Sequence, residues 1–142
     1  MQSKELIMMS VGRVVFAVQM LVLSYTAVAA TAVDELLSEY KQQGTTSFNA
    51  TAGKNFWNQA TRPSGAVTER SCASCHTQDV RQNGKHAITG KTIKPLAPSV
   101  MAKRLTNPTK IRKWLKRNCE WTRGRECTPQ EKGDVLTYLK DQ

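Results

Sequence analysis

Two thiols and an imidazole sit within five residues of one another in the run Cys72-Ala73-Ser74-Cys75-His76. Thioether bonds from Cys72 and Cys75 would hold a porphyrin covalently, and His76 would lie beneath its iron as proximal ligand. The pattern C-x-x-C-H is therefore the attachment signature of one c-type haem. A redox dithiol would want a βαβ setting, and a zinc site would need further ligands at suitable spacing. The chain offers neither.

The opposite axial position has few candidates, because strong iron ligands are scarce. With an N-terminal signal removed, Met101 is the one remaining methionine and His86 the one other histidine. Met101 would give an ordinary electron carrier of raised potential; simple apolar packing explains it equally. His86 falls in a Gly-, Lys- and Asn-rich stretch, where an exposed or propionate-facing imidazole is the other reading. Asn118 is the third candidate. Ile111, Trp114 and Asn118 recur at i, i+3 and i+7, so the amide shares a helical stripe with core-seeking residues. A polar side chain on such a face needs a partner, which could be iron or nearby backbone.

Several helices must position these groups. Val33, Leu36, Leu37 and Tyr40 predict a helix over 33–43. A short helix within 47–59 would pack Phe56 and Trp57 on the haem or on the last helix. Residues 78–94 read as an exposed loop, continued by Pro95 and Pro98. Asn107-Pro108 opens a long helix, with Asn107 as cap and proline in the first turn. Thr128-Pro129-Gln130-Glu131 is a capping box that starts a final helix reaching about Lys140. No strand pattern competes.

The first residues look like an address. Lys4 and Arg13 precede an apolar run over 14–23 and then Ala27-Val28-Ala29-Ala30, the order of a secretory signal. Residues 1–29 are thus expected to be a cleaved signal peptide and 30–142 a cytochrome domain, with periplasmic export and no stable membrane insertion afterwards. The chain without residues 1–29 holds 19 basic and 10 acidic residues, a net charge of +9. Such a surface could steer association with an acidic redox partner or be merely solvated. Export argues against nucleic acid. Once haem takes the first cysteine pair, Cys119 and Cys127 are left free to pair in an oxidising compartment.

The runs Lys94-Pro95-Leu96-Ala97-Pro98-Ser99, Lys113-Trp114-Leu115, Arg117-Asn118-Cys119, Gly124-Arg125-Glu126-Cys127-Thr128-Pro129 and Glu131-Lys132 resemble the sphaeroides haem protein family of oxygen-binding monohaem cytochromes c. The resemblance extends from the haem motif to the C-terminus. It implies an all-α, class I-like cytochrome c fold around one covalent haem c, with Asn118 as sixth ligand and a Cys119–Cys127 disulfide. It further implies that asparagine leaves on reduction, opening ferrous iron to oxygen or nitric oxide. Trp114, one turn before Asn118, could wall the distal pocket or pack in the core. The 78–94 loop is one residue longer than in the relative compared. The expected partners are a redox protein, such as a dihaem or membrane cytochrome, and a diatomic gas. A conventional carrier using Met101, or a haem enzyme reducing oxygen, peroxide or a nitrogen oxide, stays open as an alternative; no acid/base pair points to a dedicated enzyme.

Overall fold

The computed structural model describes residues 31–142; the signal segment expected at 1–29 lies outside the described residues. Helices α1 (Ala32–Gln42), α2 (Ala50–Asn58), α4 (Pro108–Arg123) and α5 (Pro129–Lys140) are joined by irregular chain. That chain holds the single turn α3 (Ala73–His76) and a ribbon of β1 (Gly84–Lys85) and β2 (Thr92–Ile93). The ribbon is antiparallel, pairing Gly84 with Ile93 and Lys85 with Thr92. It is the one departure from the strand-free expectation, and too short to show as an alternating pattern.

Each long helix starts where its side chains satisfy free backbone N–H groups. Thr31 and Thr128 make capping boxes with Asp34 and Glu131, while Asn49 and Asn107 accept from Ala52 and Lys110. Helix α4 ends at Gly124, whose φ of 70° is a left-handed stop.

Helix α5 is buried nearly all round, through Gly133, Asp134, Val135, Leu136, Tyr138 and Leu139. It packs against both α1 and α2, and α1 also meets α4. The class I-like expectation is corrected by this arrangement: the architecture is an all-α, four-helix bundle, not the class I cytochrome c topology. An attachment motif names a cofactor and leaves topology open. Topology follows from which helices carry apolar faces, and here α1 contributes Val33, Leu36 and Tyr40 to a core with Ile111 and Leu136. A second cluster joins Trp57, Val80, Ala97, Val135, Tyr138 and Leu139. Leu105 and Leu115 touch both clusters and make them continuous.

The crossing of α2 and α5 is close enough to demand glycine. A Cβ on Gly53 would lie 2.0 Å from the Asp134 carbonyl oxygen. Asp134, itself buried, accepts from the Asn49 N–H (2.7 Å) and the Gln130 amide (2.9 Å), tying the start of α2 to α5. Gly53→Ala should therefore lose stability by roughly 1–3 kcal/mol from overpacking, even though alanine gains about 1 kcal/mol in helix propensity. Urea titration would show this as a lower midpoint at unchanged slope.

Glu131 serves two tasks at once. Its carboxylate receives both Arg125 guanidinium bonds (2.6 and 2.8 Å) and the Thr128 N–H (2.8 Å). The Arg125 bonds hold its pKa below the ordinary 4.5, against opposing desolvation. A lowered folded-state pKa stabilises fully above the unfolded value, and the contribution is lost as pH falls through the folded one. Stability measured by urea unfolding should thus fall more steeply below about pH 4.5 in the parent than in Glu131→Gln.

Candidate haem site

A cleft of about 770 Å³ opens between α4 and the chain that follows α3, within the roughly 300–1,000 Å³ of cofactor sites. Its walls include Cys75, His76, Leu96, Leu105, Ile111, Leu115, Asn118 and Leu139. Cys72 lines a small adjoining cavity of about 30 Å³, which shares Trp57, Leu115 and Asn118 with the cleft. The sulfur side, the imidazole and the α4 amide are thus brought to one place.

His76 is fixed by what packs behind it. The Trp57 ring stands 5.6 Å from the imidazole, tilted by 44°, and 6.3 Å from Tyr138. Trp57 Nε1 donates to the Thr77 carbonyl at 2.9 Å, holding the residue after the motif at φ 66°, unusual for a branched side chain. Gly84 lies against the motif from the other direction; a Cβ there would come 2.0 Å from the Cys75 carbonyl. The Val80 carbonyl accepts from Leu96 and Ala97 (2.9 and 3.1 Å), drawing the proline-rich segment onto the same wall.

The electrostatics suit a coordinating imidazole. Burial, aided by the Arg104 charge, pushes His76 down to about 4, so the ring is neutral near pH 7, the form that binds metal. Its Nδ1 is buried with no hydrogen-bond partner among the described residues. As a free thiol Cys72 is driven up to about 11 by burial, with Arg123 opposing. Redox-active thiols need the reverse shift, so Cys72 is poorly built as an attacking thiolate. Among the described residues no three His, Cys, Asp or Glu side chains gather as a metal cluster. A large apolar-walled cleft edged by two thiols and a neutral, unpartnered imidazole fits a covalently held haem.

On the facing wall, α4 buries Ile111, Cys119 and Thr122. Ile111, Trp114, Leu115 and Asn118 all line the cleft, so the 111/114/118 stripe faces it, with Cys119 and Thr122 buried alongside. Asn118 is half-buried. Its carbonyl accepts from Thr122 Oγ1 at 2.8 Å, its side-chain amide makes no hydrogen bond among the described residues, and the residue belongs to the cleft lining. A disulfide joins Cys119 to Cys127, with Cα atoms 5.5 Å apart.

The other ligand candidates are placed differently. Met101 does not line the cleft; its N–H donates to the Ala97 carbonyl in a turn. His86 does line it, yet its Nδ1 accepts from the N–H groups of Ile88 and Thr89 (3.3 and 3.2 Å), which turns that nitrogen back into its own loop. Sequence reasoning missed Lys103, Arg104 and Leu105, all in the lining. Arg104 donates to the carbonyls of Pro95 (2.7 Å) and Lys94 (2.9 Å). No local pattern marks such a backbone clamp, since its partners lie in irregular chain.

Comparison with known proteins gives a consistent answer. Residues 43–139 match the family model described as "Domain of unknown function (DUF1924)". The cytochrome c-type protein SHP of Cereibacter sphaeroides is 45% identical over 83 residues, covering 58% of this chain and 64% of that protein. Cytochrome c'' of Methylophilus methylotrophus is 42% identical over 90 residues, covering 63% and 61%. The chain thus spans a little under two thirds of either relative's length. Among solved structures, oxidised SHP, titled an oxygen-binding cytochrome c, aligns with a TM-score of 0.69 at 36% identity, covering 79% of this chain and 98% of that one. Oxidised cytochrome c'' aligns with a TM-score of 0.69 at 32% identity, covering 78% and 94%. The likeness to these structures carries the correction of the class I-like expectation.

The disulfide makes a prediction about the α4 terminus. Replacing Cys119 and Cys127 by serine should cost roughly 2–3 kcal/mol of stability, the closure entropy of so short a loop. Hydrogen exchange should rise in the last turn of α4 before it rises in α2.

Proposed function

This chain belongs to the Domain of unknown function (DUF1924) family and is homologous to the SHP and cytochrome c'' cytochromes, and on that premise we propose an exported monohaem cytochrome c that transfers electrons and binds oxygen or nitric oxide at ferrous iron. Residues 1–29 act in this reading as the export signal, and 30–142 as the cytochrome domain of the periplasm. Membership of the family implies one covalent haem c. The role is electron transfer and gas binding rather than dedicated catalysis.

When bound, the haem supplies an iron that changes between ferric and ferrous states and can take a diatomic ligand. Cys72 and Cys75 would anchor it through thioethers. His76 would be the proximal ligand, its ring held in orientation by Trp57. Asn118 would offer its amide oxygen from the opposite wall. A neutral amide oxygen is a hard, weak donor, better matched to ferric than to ferrous iron, so it holds less firmly after reduction. The Cys119–Cys127 bond would limit how far that helix end moves, leaving the Asn118 side chain as the part free to swing.

The observation that carries this reading is that half-buried Asn118, its amide unengaged among the described residues, lines the same cleft as His76. The deciding measurement is the ferric and ferrous optical spectrum with and without carbon monoxide. The ferrous protein should bind carbon monoxide readily, and Asn118→Ala should turn the ferric spectrum high-spin while preserving that binding. A ferrous form that stays low-spin and ignores carbon monoxide overturns the proposal. A methionine-to-iron charge-transfer band in the ferric spectrum would point to Met101 instead.

A further inference from the structure

The described residues include three tryptophans, Trp57, Trp114 and Trp121, and two tyrosines, Tyr40 and Tyr138, the rings that give up one electron most readily. Three of these five sit against a cation. The Arg117 guanidinium lies 5.6 Å from the Trp114 ring centre, Arg70 lies 4.6 Å from Trp121, and the Lys132 ammonium lies 5.9 Å from Tyr40. Positive charge at that range opposes removal of an electron. Trp57 and Tyr138 have no cation over the ring among the described residues, and they are also the two that meet. Their ring centres are 6.3 Å apart, and Trp57 stands 5.6 Å from His76, all within aromatic contact range. Each donates its polar hydrogen to a backbone carbonyl, Trp57 Nε1 to Thr77 at 2.9 Å and the Tyr138 hydroxyl to Gln78 at 3.5 Å. Such bonds strengthen when the donor becomes positive, so both rings are placed to lose an electron. Both are buried, at 4% and 5% exposure, yet the Tyr138 hydroxyl reaches exposed Gln78.

We propose that Trp57 and Tyr138 form an escape path for oxidising equivalents: when hydrogen peroxide oxidises the haem, Tyr138 supplies an electron through Trp57 and so spares the porphyrin. The proposal rests on the haem reading above. An oxygen carrier whose ferrous iron loses an electron to the bound gas releases superoxide. Two superoxides and two protons give oxygen and hydrogen peroxide, so the oxidant arises at the cleft itself. Cleavage of the peroxide O–O bond sends one oxygen away as water with both protons, keeps the other at the iron, and leaves the haem two electrons short. Trp57 refills one of these, and Tyr138 refills Trp57. Burial, with Asp79 adding and Arg81 opposing, raises the Tyr138 pKa above the ordinary 10, so its hydroxyl is protonated near pH 7. On oxidation it yields that proton to water beside Gln78. A one-electron reductant of the ascorbate type, with one proton, restores the tyrosine. A second passage along the same path, with two protons from solvent, returns the iron to ferric and releases the retained oxygen as water.

In the test, haem-loaded ferric protein is mixed with hydrogen peroxide, freeze-quenched and read by electron paramagnetic resonance. A tyrosyl radical is expected, its lines narrowing when the chain carries ring-deuterated tyrosine. In the parent, a nitroso spin trap followed by peptide mass spectrometry should place the adduct at Tyr138. Tyr138→Phe keeps the ring that packs on Trp57 and removes the hydroxyl, so the tyrosyl signal should be lost. Trp57→Phe keeps an aromatic ring between His76 and Tyr138 and should lose it too, because phenylalanine does not yield an electron under these conditions. Tyr40→Phe should leave the signal unchanged. Peroxide bleaching of the main haem absorption band should be faster in the Tyr138 and Trp57 variants than in the parent or Tyr40→Phe. A tyrosyl signal that survives Tyr138→Phe, one that falls equally in Tyr40→Phe, or a trapped adduct elsewhere than Tyr138 overturns the proposal. So does bleaching at the parent rate in both path variants, the mark of rings that serve only as core. Absence of a covalent haem spectrum before mixing overturns the haem reading itself, whereas an intact haem that leaves Tyr138 unoxidised overturns the path alone.

Discussion

The approach of α2 to α5 at Gly53 is the contact on which the site depends. Backbone meets backbone there, with the Asp134 carbonyl occupying the space a side chain would need. Trp57 lies one helical turn beyond Gly53 on the same face of α2. The crossing therefore sets where the indole lands, between Tyr138 of α5 and His76 of the haem motif. One close crossing thereby orients the imidazole. The Trp57 bond to the Thr77 carbonyl holds the motif's end in the strained conformation that turns the chain away.

The facing wall is built by a different device. Helix α4 is strongly basic and is held to the bundle by Ile111, Cys119 and Thr122, by the Arg112 pairs to α1, and by Arg123 donating to the Phe56 carbonyl over the Phe56 ring. Its covalent tie to Cys127 braces the turn that carries Asn118. One wall of the cleft is thus held by packing around Trp57, and the other carries an amide that is braced yet makes no hydrogen bond among the described residues. The same helix contributes Lys110, Trp114 and Arg117 to the cleft lining.

Much was legible beforehand because it was local. The two prolines after cap residues, the capping box at Thr128 and the apolar repeat of α1 each express hydrogen-bond or burial demands met within a few residues. The C-x-x-C-H run is likewise local, since its chemistry needs only neighbours along the chain. What stayed illegible depended on packing partners. Ile111, Trp114 and Asn118 do share the face of α4 that lines the cleft, whereas the burial of Cys119 and Thr122 beside it rests on the disulfide and on the Thr61 bond to the Thr122 carbonyl, partners outside the helix. The ribbon of β1 and β2 was invisible because two-residue strands carry no period.

By itself the sequence determined the cofactor class, the helix starts and the short list of candidate iron ligands, since these follow from residue type and spacing along one segment. The bundle topology, the clamp of Arg104 on the proline-rich segment and the exclusion of Met101 from the cleft were decided by the tertiary structure. Each depends on segments far apart in the chain competing for the same space. Periodicity says that a face is apolar; only packing says what it faces.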